Sequence, residues 1–287
     1  MLIVLNLFLP NESFYQTNYQ TAKDLITQIE KYTPRPEAKT HQIIITGYVG
    51  HIFLEKVKDW FVDTDTDVNL EITSDYDQII SKCHLINRYL RKMINSTSTN
   101  LINPTYTWNS SQLFYLEYDI TVPNLFSTIN LLQEISQKSE SAFLALNHDR
   151  HQMTIHEKVE RVTINKTKYH VVQTFDPSVT AIGTGCFYLN LAQGTKFLKN
   201  ENNTSVVGQS GMTVDLEIRC PSYGYGHDDG HLHNWLLQHN IEMKVVLELK
   251  VDHRALLIPK FDQWKQNIIE RETILTKEEY QHFWETF

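Results

Sequence analysis

The chain has 287 residues, of which 41% are hydrophobic and 21% are charged, and its formal net charge at pH 7 is −8. This composition excludes a disordered chain, and the length allows one or two domains with a sizeable hydrophobic core. The negative charge argues against a broad basic surface of the kind that follows nucleic acid phosphates, although Arg88, Arg91 and Lys92 form a local basic group.

The cysteines and the N-terminus indicate where the protein works. Cys83, Cys186 and Cys220 are widely spaced and form no CxxC pair, which predicts a reducing, cytoplasmic setting without disulfides. The apolar run MLIVLNLFLP lacks a basic region, and Asn11 and Glu12 follow it at once. We therefore expect a buried first strand rather than a signal peptide. No run approaches membrane-spanning length, so no membrane partner is expected.

The first half of the chain has mainly helical periodicity. Apolar residues recur at helical spacing over Tyr19–Lys31, Ile52–Val62 and Val122–Ser139, and most strongly over Asp75–Ile94. The segment His41–Tyr48 is β-branched and broken by a glycine, which fits either a strand or the approach to a helix.

From about Ala142 the period changes to short runs rich in β-branched and aromatic residues, separated by glycines. In chain order these runs are FLALNHDRH, VERVTI, KYHVVQTF, GCFYLNLA, TVDLEI, MKVVLELKV and ALLIP. Helices followed by strands predict an α+β fold rather than alternating βαβ units. We expect a helical N-terminal region over residues 1–72 and a second domain over residues 73–287.

A Gly- and His-rich stretch, Pro221–Trp235, separates two of the strand-like runs and predicts a polar loop beside a cleft. Glu242 begins the strand that follows, where a carboxylate can stabilise a positive charge that develops in the cleft. Ser178 and Thr180 face the same way if this segment is extended, and they could bond to a ligand or to a catalytic carboxylate. The alternative is an ordinary turn begun by Asp176–Pro177.

Two further patterns suggest metal chemistry. Asp215 together with Glu248 and Lys250 is the kind of carboxylate and Glu-x-Lys set that metal-dependent nucleases and hydrolases use. The cluster His227–His233 (HDDGHLH) offers imidazole and carboxylate ligands that suit zinc or iron. Its spacing fits no ligand pattern, so we expect no resident metal, and a metal-dependent nuclease or hydrolase remains the alternative function.

The order of several motifs resembles the mono-ADP-ribosyltransferase fold of bacterial toxins. In chain order the matching segments are Tyr76 with INRYLR (Ile86–Arg91), FLALNHDRH, FDPSVT (Phe175–Thr180), VDLEIRC before Pro221, and IEMKVVL. The resemblance covers roughly residues 75–260. It implies a split antiparallel β-core preceded by a helical N-terminal portion. It also implies an intracellular toxin or effector that uses NAD as its substrate to modify a protein or nucleic acid, with an antitoxin or immunity protein as a possible partner.

The resemblance also implies roles for individual residues. Glu242 would be the catalytic residue that stabilises an oxocarbenium-like state as the nicotinamide–ribose bond breaks. Ser178 would orient Glu242, with Thr180 beside it, and His148 or Arg150 would hold NAD.

Asn240 lies at the motif position before the catalytic one, where the family often has Gln or Glu, and we expect it in the same NAD site. The sequence departs from the family where Glu242-Met-Lys244 replaces Glu-x-Glu. If Lys244 fills the catalytic position, the protein is a non-catalytic binding module.

Overall fold

The computed structural model describes residues 1–30, 42–59, 68–75, 86, 112–148, 159–173, 184–190, 228–238 and 241–253. Ten strands in these residues form one mixed sheet: β1 (Leu2–Leu9), β2 (Gln42–Val49), β3 (Val68–Thr73), β4 (Gln112–Glu117), β5 (Ile120–Thr121), β6 (Phe143–His148), β7 (Val159–Ile164), β8 (Thr167–Gln173), β9 (Cys186–Asn190) and β10 (Met243–His253). The same residues contain the helices α1 (Glu12–Glu30), α2 (His51–Asp59), α3 (Leu125–Lys138) and α4 (Asp228–Gln238). None of these helices is long and apolar enough to span a membrane.

The strand order is β3-β2-β1-β4-β9-β6-β10-β8-β7, and β5 pairs with the end of β10 outside that path. β1 is parallel to β2 and β4, β2 is parallel to β3, and β6 is parallel to β10. β9 is antiparallel to both β4 and β6, and β8 is antiparallel to β10. β1 to β4, β6 and β10 therefore point the same way, and their carboxyl ends lie along one edge of the sheet, which we call the carboxyl edge.

The sheet is covered on both sides. One side, the helix face, packs against α1, α2 and α3, and its core includes Leu5, Phe53 and Ile129. The other side, the α4 face, packs against α4, and its core includes Val4 and Trp235. Successive residues of a strand point to opposite faces, so a strand in the middle of such a sheet needs apolar residues at nearly every position.

β1 and α1 follow directly from their sequences. The run LIVLNLFL sends alternate residues into the two cores, and the predicted buried first strand is confirmed. α1 begins at Glu12, earlier than the predicted Tyr19, because Asn11 caps it: the Asn11 Oδ1 accepts a hydrogen bond from the Phe14 backbone N–H at 3.1 Å. Such a cap satisfies one of the N–H groups that a helix start leaves without a helical partner.

The predicted fold class, a helical N-terminal portion followed by a split antiparallel β-core, is wrong. Residues 2–73 contain three parallel strands that alternate with α1 and α2, and they continue into the same sheet through β4. The amphipathic helices dominate the periodic signal in this region, whereas buried parallel strands carry no alternation. The boundary placed between residues 72 and 73 stays a prediction; β3 runs across it.

Candidate functional site

The carboxyl ends of β1 and β4 lie where the connections of the parallel strands change direction. From β1 the chain passes through α1 and α2 to β2 and β3 on one side, while β4 pairs with β1 on the other. Asn6 is in register with Glu117, and the Tyr118 N–H donates to the Asn6 carbonyl oxygen at 3.0 Å. β1 then continues beside β2 through Leu7–Leu9, whereas β4 ends. In open α/β sheets such a switch point forms a crevice that binds ligands.

A row of polar side chains crosses the four parallel strands at this edge. Glu71, Thr46, Asn6 and Glu117 are in register on β3, β2, β1 and β4, and we call them the polar row. Neighbours in register share a face, and the Asn6 Nδ2 donates to the Tyr115 hydroxyl at 2.9 Å within the α4 face. The polar row therefore lies on the α4 face, where the apolar core gives way to the crevice.

A turn after β4 places a second carboxylate two residues from Glu117. Asp119 is 1% exposed, whereas Glu117 is partly exposed. Buried carboxylates in proteins are paired, hydrogen-bonded or bound to a cation. β5 begins immediately after Asp119 and pairs with Asp252 and His253 of β10, so the turn is held between two strands.

Two aromatic residues lie beyond the polar row, at the carboxyl ends of β1 and β2. Phe8 and Tyr48 are in register on β1 and β2, two positions beyond the polar row, and both are half-buried. Their ring centroids are 6.1 Å apart, and the Phe8 ring meets Phe14 edge-on at 5.9 Å. Gly47 lies between Thr46 and Tyr48 with φ of 126°, and a Cβ there would lie 1.9 Å from the Leu7 carbonyl oxygen, so only glycine fits.

Gly185 directly precedes β9 and stands next to Glu117. The Glu117 N–H donates to the Gly185 carbonyl oxygen at 2.8 Å. A Cβ at Gly185 would come within 2.6 Å of the Ile120 Cδ1 and 2.7 Å of the Glu117 Oε2. The absence of a side chain at this position therefore makes room for the Glu117 carboxylate. Burial, together with the Glu117 charge, raises the pKa of the Cys186 thiol, which faces the core.

β10 carries a bulge at the same edge. Val246 is in register with Leu146 of β6, but the next paired residue is Lys250, opposite Asn147. Residues 247–249 are therefore inserted into β10, and the Asn147 Nδ2 donates to the Leu247 carbonyl oxygen at 2.9 Å. Bulges of this kind change the direction in which the following side chains point.

Glu248 fixes the bulge to β8. Its carboxylate accepts a hydrogen bond from the His170 backbone N–H at 2.8 Å and lies 2.6 Å from the His170 Nδ1. Burial alone would raise the pKa of Glu248, but the hydrogen bonds from His170 outweigh burial and the pKa lies below its ordinary value.

The carboxylate predicted as catalytic lies at the opposite edge of the sheet. Glu242 is exposed and directly precedes β10, and its carboxylate is 3.4 Å from the Lys244 Nζ. Lys244 is buried and its Nζ also lies 3.3 Å from the Glu160 Oε2. Because β10 starts here, this ion-paired group is at the amino end of the strand, away from the polar row.

Most of the other predicted site residues lie outside the described residues: Ser178, Thr180, Arg150, Asn240 and Asp215. His148 ends β6 in register with Val251, and only its backbone belongs to the described part. The expected approach of Ser178 to Glu242 thus stays a prediction.

The predicted Gly- and His-rich loop is wrong over residues 228–235, which form most of α4. His231 and His233 would share a face only on a strand; two residues apart on a helix, their side chains point about 160° away from each other. Burial lowers the pKa of His233. In the described part of the chain, no group of three or more His, Cys, Asp and Glu residues could hold a metal ion.

Sequence reasoning missed Glu117, Asp119 and Asn6. A carboxylate pair that directly follows the apolar run QLFYL was the available signal, since polar residues at the carboxyl end of a buried strand mark a crevice in α/β folds.

No protein-family model matches the chain, and no curated protein sequence is detectably similar. Among solved structures it is similar to mouse xyloside xylosyltransferase 1 in its apo form, with 10% identity over 90% of this chain and 99% of that one and a TM-score of 0.42. It is similar to residues 1–349 of S. aureus TarS in complex with UDP, with 8% identity over 88% of this chain and 59% of that one and a TM-score of 0.48. It is also similar to the mannosyltransferase PcManGT from Pyrobaculum calidifontis in complex with GDP-Man and Mn²⁺, with 9% identity over 99% of this chain and 68% of that one and a TM-score of 0.47. All three TM-scores are below 0.5, and no residue of the site is assigned from them.

The resemblance to ADP-ribosyltransferase toxins is therefore wrong, and the predicted NAD-dependent transfer is wrong with it. The parallel strands of residues 2–73 replace the expected helical region, and none of the three similar structures is described as an ADP-ribosyltransferase or as binding NAD. The alternative of a metal-dependent nuclease is not supported either. Its Glu248 is bound to His170 in the bulge rather than grouped with other carboxylates among the described residues.

Proposed function

We propose that the chain is a glycosyltransferase whose donor, a nucleoside diphosphate sugar, binds in the crevice between β1 and β4. One observation carries the proposal: the polar row ends at the switch point with two carboxylates. Glu117 stands at the carboxyl end of β4, and Asp119 follows two residues later. Switch-point crevices are the ligand sites of open α/β sheets, and acidic oxygens there suit a cation-bound phosphate.

The donor atoms fit a hard divalent cation such as Mg²⁺ or Mn²⁺, with Glu117 and Asp119 as the residues that would hold it. Cations in nucleotide sites are bound by one or two carboxylates, while phosphate oxygens and water complete the shell. A two-carboxylate site agrees with the lack of any larger ligand group in the described residues. When bound, the cation would neutralise charge on the diphosphate as the bond from the sugar to the diphosphate oxygen breaks.

The connection between β1 and α1 is not a P-loop. It consists of Pro10 and Asn11 and contains no glycine, so it lacks the Gly-rich backbone loop that cradles triphosphates. The N-terminus of α1 nevertheless lies at the same edge of the sheet as Glu117, and the positive end of the helix dipole favours a nearby negative charge.

The sheet on one side of Glu117 suits the nucleoside of the donor, and the sheet on the other side suits its sugar. On the β1 and β2 side, the half-buried Tyr48 would provide the aromatic ring against which a nucleobase can stack. The sugar then extends toward β9 and β6, beside Gly185. In the transfer step the sugar C1–oxygen bond breaks, its electron pair stays with the diphosphate, and an acceptor oxygen bonds to C1 as it loses its proton.

Titration calorimetry with UDP and with GDP, each with and without MnCl₂, tests the proposal. We expect one nucleotide to bind in a cation-dependent way, and Glu117→Gln to weaken that binding by about tenfold or more, since a charged ligand to the ion is lost. Glu160→Gln, which alters a carboxylate at the opposite edge, is the matched control and should bind as wild type.

Product analysis distinguishes sugar transfer from nucleotidyl transfer. Release of nucleoside diphosphate from UDP-sugar or GDP-sugar supports the proposal, whereas release of pyrophosphate from CTP or UTP would mean nucleotidyl transfer instead. Failure of every nucleotide to bind with either Mn²⁺ or Mg²⁺ would refute both.

A further inference from the structure

The bulge in β10 changes which residue stands at the carboxyl edge. In a regular strand, Leu247 would follow Val246 and occupy the position opposite Asn147. The insertion puts Lys250 there instead. Because the shift is an odd number of residues, it also reverses the alternation: Val251 returns to the core of the helix face, and the exposed Lys250 points to the α4 face.

The bulge is held from both neighbouring strands. On the β6 side the Asn147 side chain binds the Leu247 carbonyl, and on the β8 side both the backbone and the ring of His170 bind Glu248. The side chains of Asn147, His170 and Glu248 thus bond within the sheet. These three hydrogen bonds fix the bulge, and the bulge in turn sets the register of Lys250 opposite Asn147.

Lys250 stands on the same face and at the same edge as Glu117. β9 and β6 lie between their strands, so the two backbones are about 14 Å apart, three spacings of about 4.8 Å. Gly185, next to Glu117, projects no side chain into this interval. The interval therefore has a carboxylate at one end and an ammonium at the other, and beside Gly185 it is bordered by the Ile120 side chain and the Glu117 carboxylate.

We propose that Lys250 is a specificity-determining residue that binds an anionic group, a carboxylate or a phosphate, on the sugar or on the acceptor. The inference rests on the proposed function, which places the diphosphate at Glu117 and the sugar toward β9 and β6. A lysine ammonium at the far end of that interval suits an oxyanion carried by the reacting groups.

The experiment compares Lys250→Met with Lys168→Met, which removes an exposed lysine from the neighbouring strand β8. One arm titrates UDP-glucuronate and UDP-glucose, or the GDP-linked pair if GDP is the better ligand, in the presence of MnCl₂. The other arm titrates glycerol 3-phosphate and glycerol, with and without the nucleotide. We expect Lys250→Met to weaken the anionic ligand of one arm by about five- to tenfold and to leave its neutral counterpart and the free nucleotide unchanged.

The arm that responds identifies whether the anion belongs to the donor or to the acceptor. Equal affinities of wild type and Lys250→Met for the anionic ligands of both arms would overturn the inference, even with nucleotide binding intact. If the wild type binds no nucleotide, the proposed function is refuted instead. The glycerol 3-phosphate titration without nucleotide then still shows whether Lys250 binds an anion.

The contacts that fix the bulge to β8 give a second, independent test. Glu248→Ala should weaken binding of the same anionic ligand although it leaves Lys250 in place, because the bulge is no longer fixed to β8. Glu160→Ala, which breaks the ion pair with Lys244 at the other end of β10, should lower the melting temperature without changing the preference for the anion. An unchanged preference in Glu248→Ala would contradict the role assigned to the bulge.

Discussion

Gly185 is a position at which one missing methyl group sets the geometry of the candidate site. We expect Gly185→Ala to lower the free energy of unfolding by about 1–3 kcal/mol, since its Cβ meets the Ile120 Cδ1 and the Glu117 carboxylate below contact distance. Urea denaturation measures the change. In the Ile120→Val background, which lacks the Cδ1 atom, the same substitution should cost less; equal costs in both backgrounds would contradict the packing described for Gly185.

Glu248 provides a prediction about pH. Its pKa is lower in the folded chain than the ordinary value of 4.5, so its bond to His170 stabilises the fold above that pH and is lost as the pH falls through the folded value. Wild type should therefore be more stable than Glu248→Gln at pH 7, and the difference should shrink as the pH falls below 4.5. Thermal denaturation across this range checks the sign, and a difference that grows on acidification would contradict it.

Among the elements, α3 shows how a helix end is fixed to the sheet by buried polar atoms. The Ser136 hydroxyl donates to the Ser141 carbonyl at 2.6 Å and accepts from the Asn190 Nδ2 of β9 at 3.3 Å. Ser136→Ala leaves both groups without this partner and should cost about 1–3 kcal/mol of unfolding free energy. Glu134→Ala, at an exposed position of the same helix, should change stability little, and equal losses in the two variants would refute the role of Ser136.

The sequence predicts where most helices and strands lie, but it does not predict how the strands are ordered in the sheet. α1, α2 and α3 are amphipathic, and β1, β6, β7 and β8 are apolar or alternating runs, so local patterns locate all of them. Their order in the sheet depends on contacts between distant residues, such as Asn6 with Glu117, which no local pattern records. The candidate site was missed for the same reason, because the polar row exists only after four strands align.

α4 illustrates a different failure. Glycine and three histidines within HDDGHLH weaken helix propensity, and the segment has little amphipathic character of its own. Packing of Leu232, Trp235 and Leu236 against the α4 face stabilises the helix, and tertiary contacts of this kind override the local preference.

At the scale of the whole molecule, the sheet runs from β3 to β7 across the boundary predicted at residue 72. A fragment of residues 73–287 would lack β1, and the paired edge of β4, which carries the fully buried Leu113 and Tyr115, would be exposed. We expect this fragment to be insoluble or to lack a cooperative unfolding transition, as measured by circular dichroism. A soluble fragment with a sharp transition would instead support two separate domains.

The position of β10 between β6 and β8 has a consequence for synthesis of the chain. The hairpin of β7 and β8 joins the rest of the sheet only through β10 among the described strands, and β10 ends at residue 253. Until that strand leaves the ribosome, β6 and β8 each lack their β10 partner, and among the described strands the sheet stays open between them. We expect the nascent chain to be most prone to aggregation during that interval.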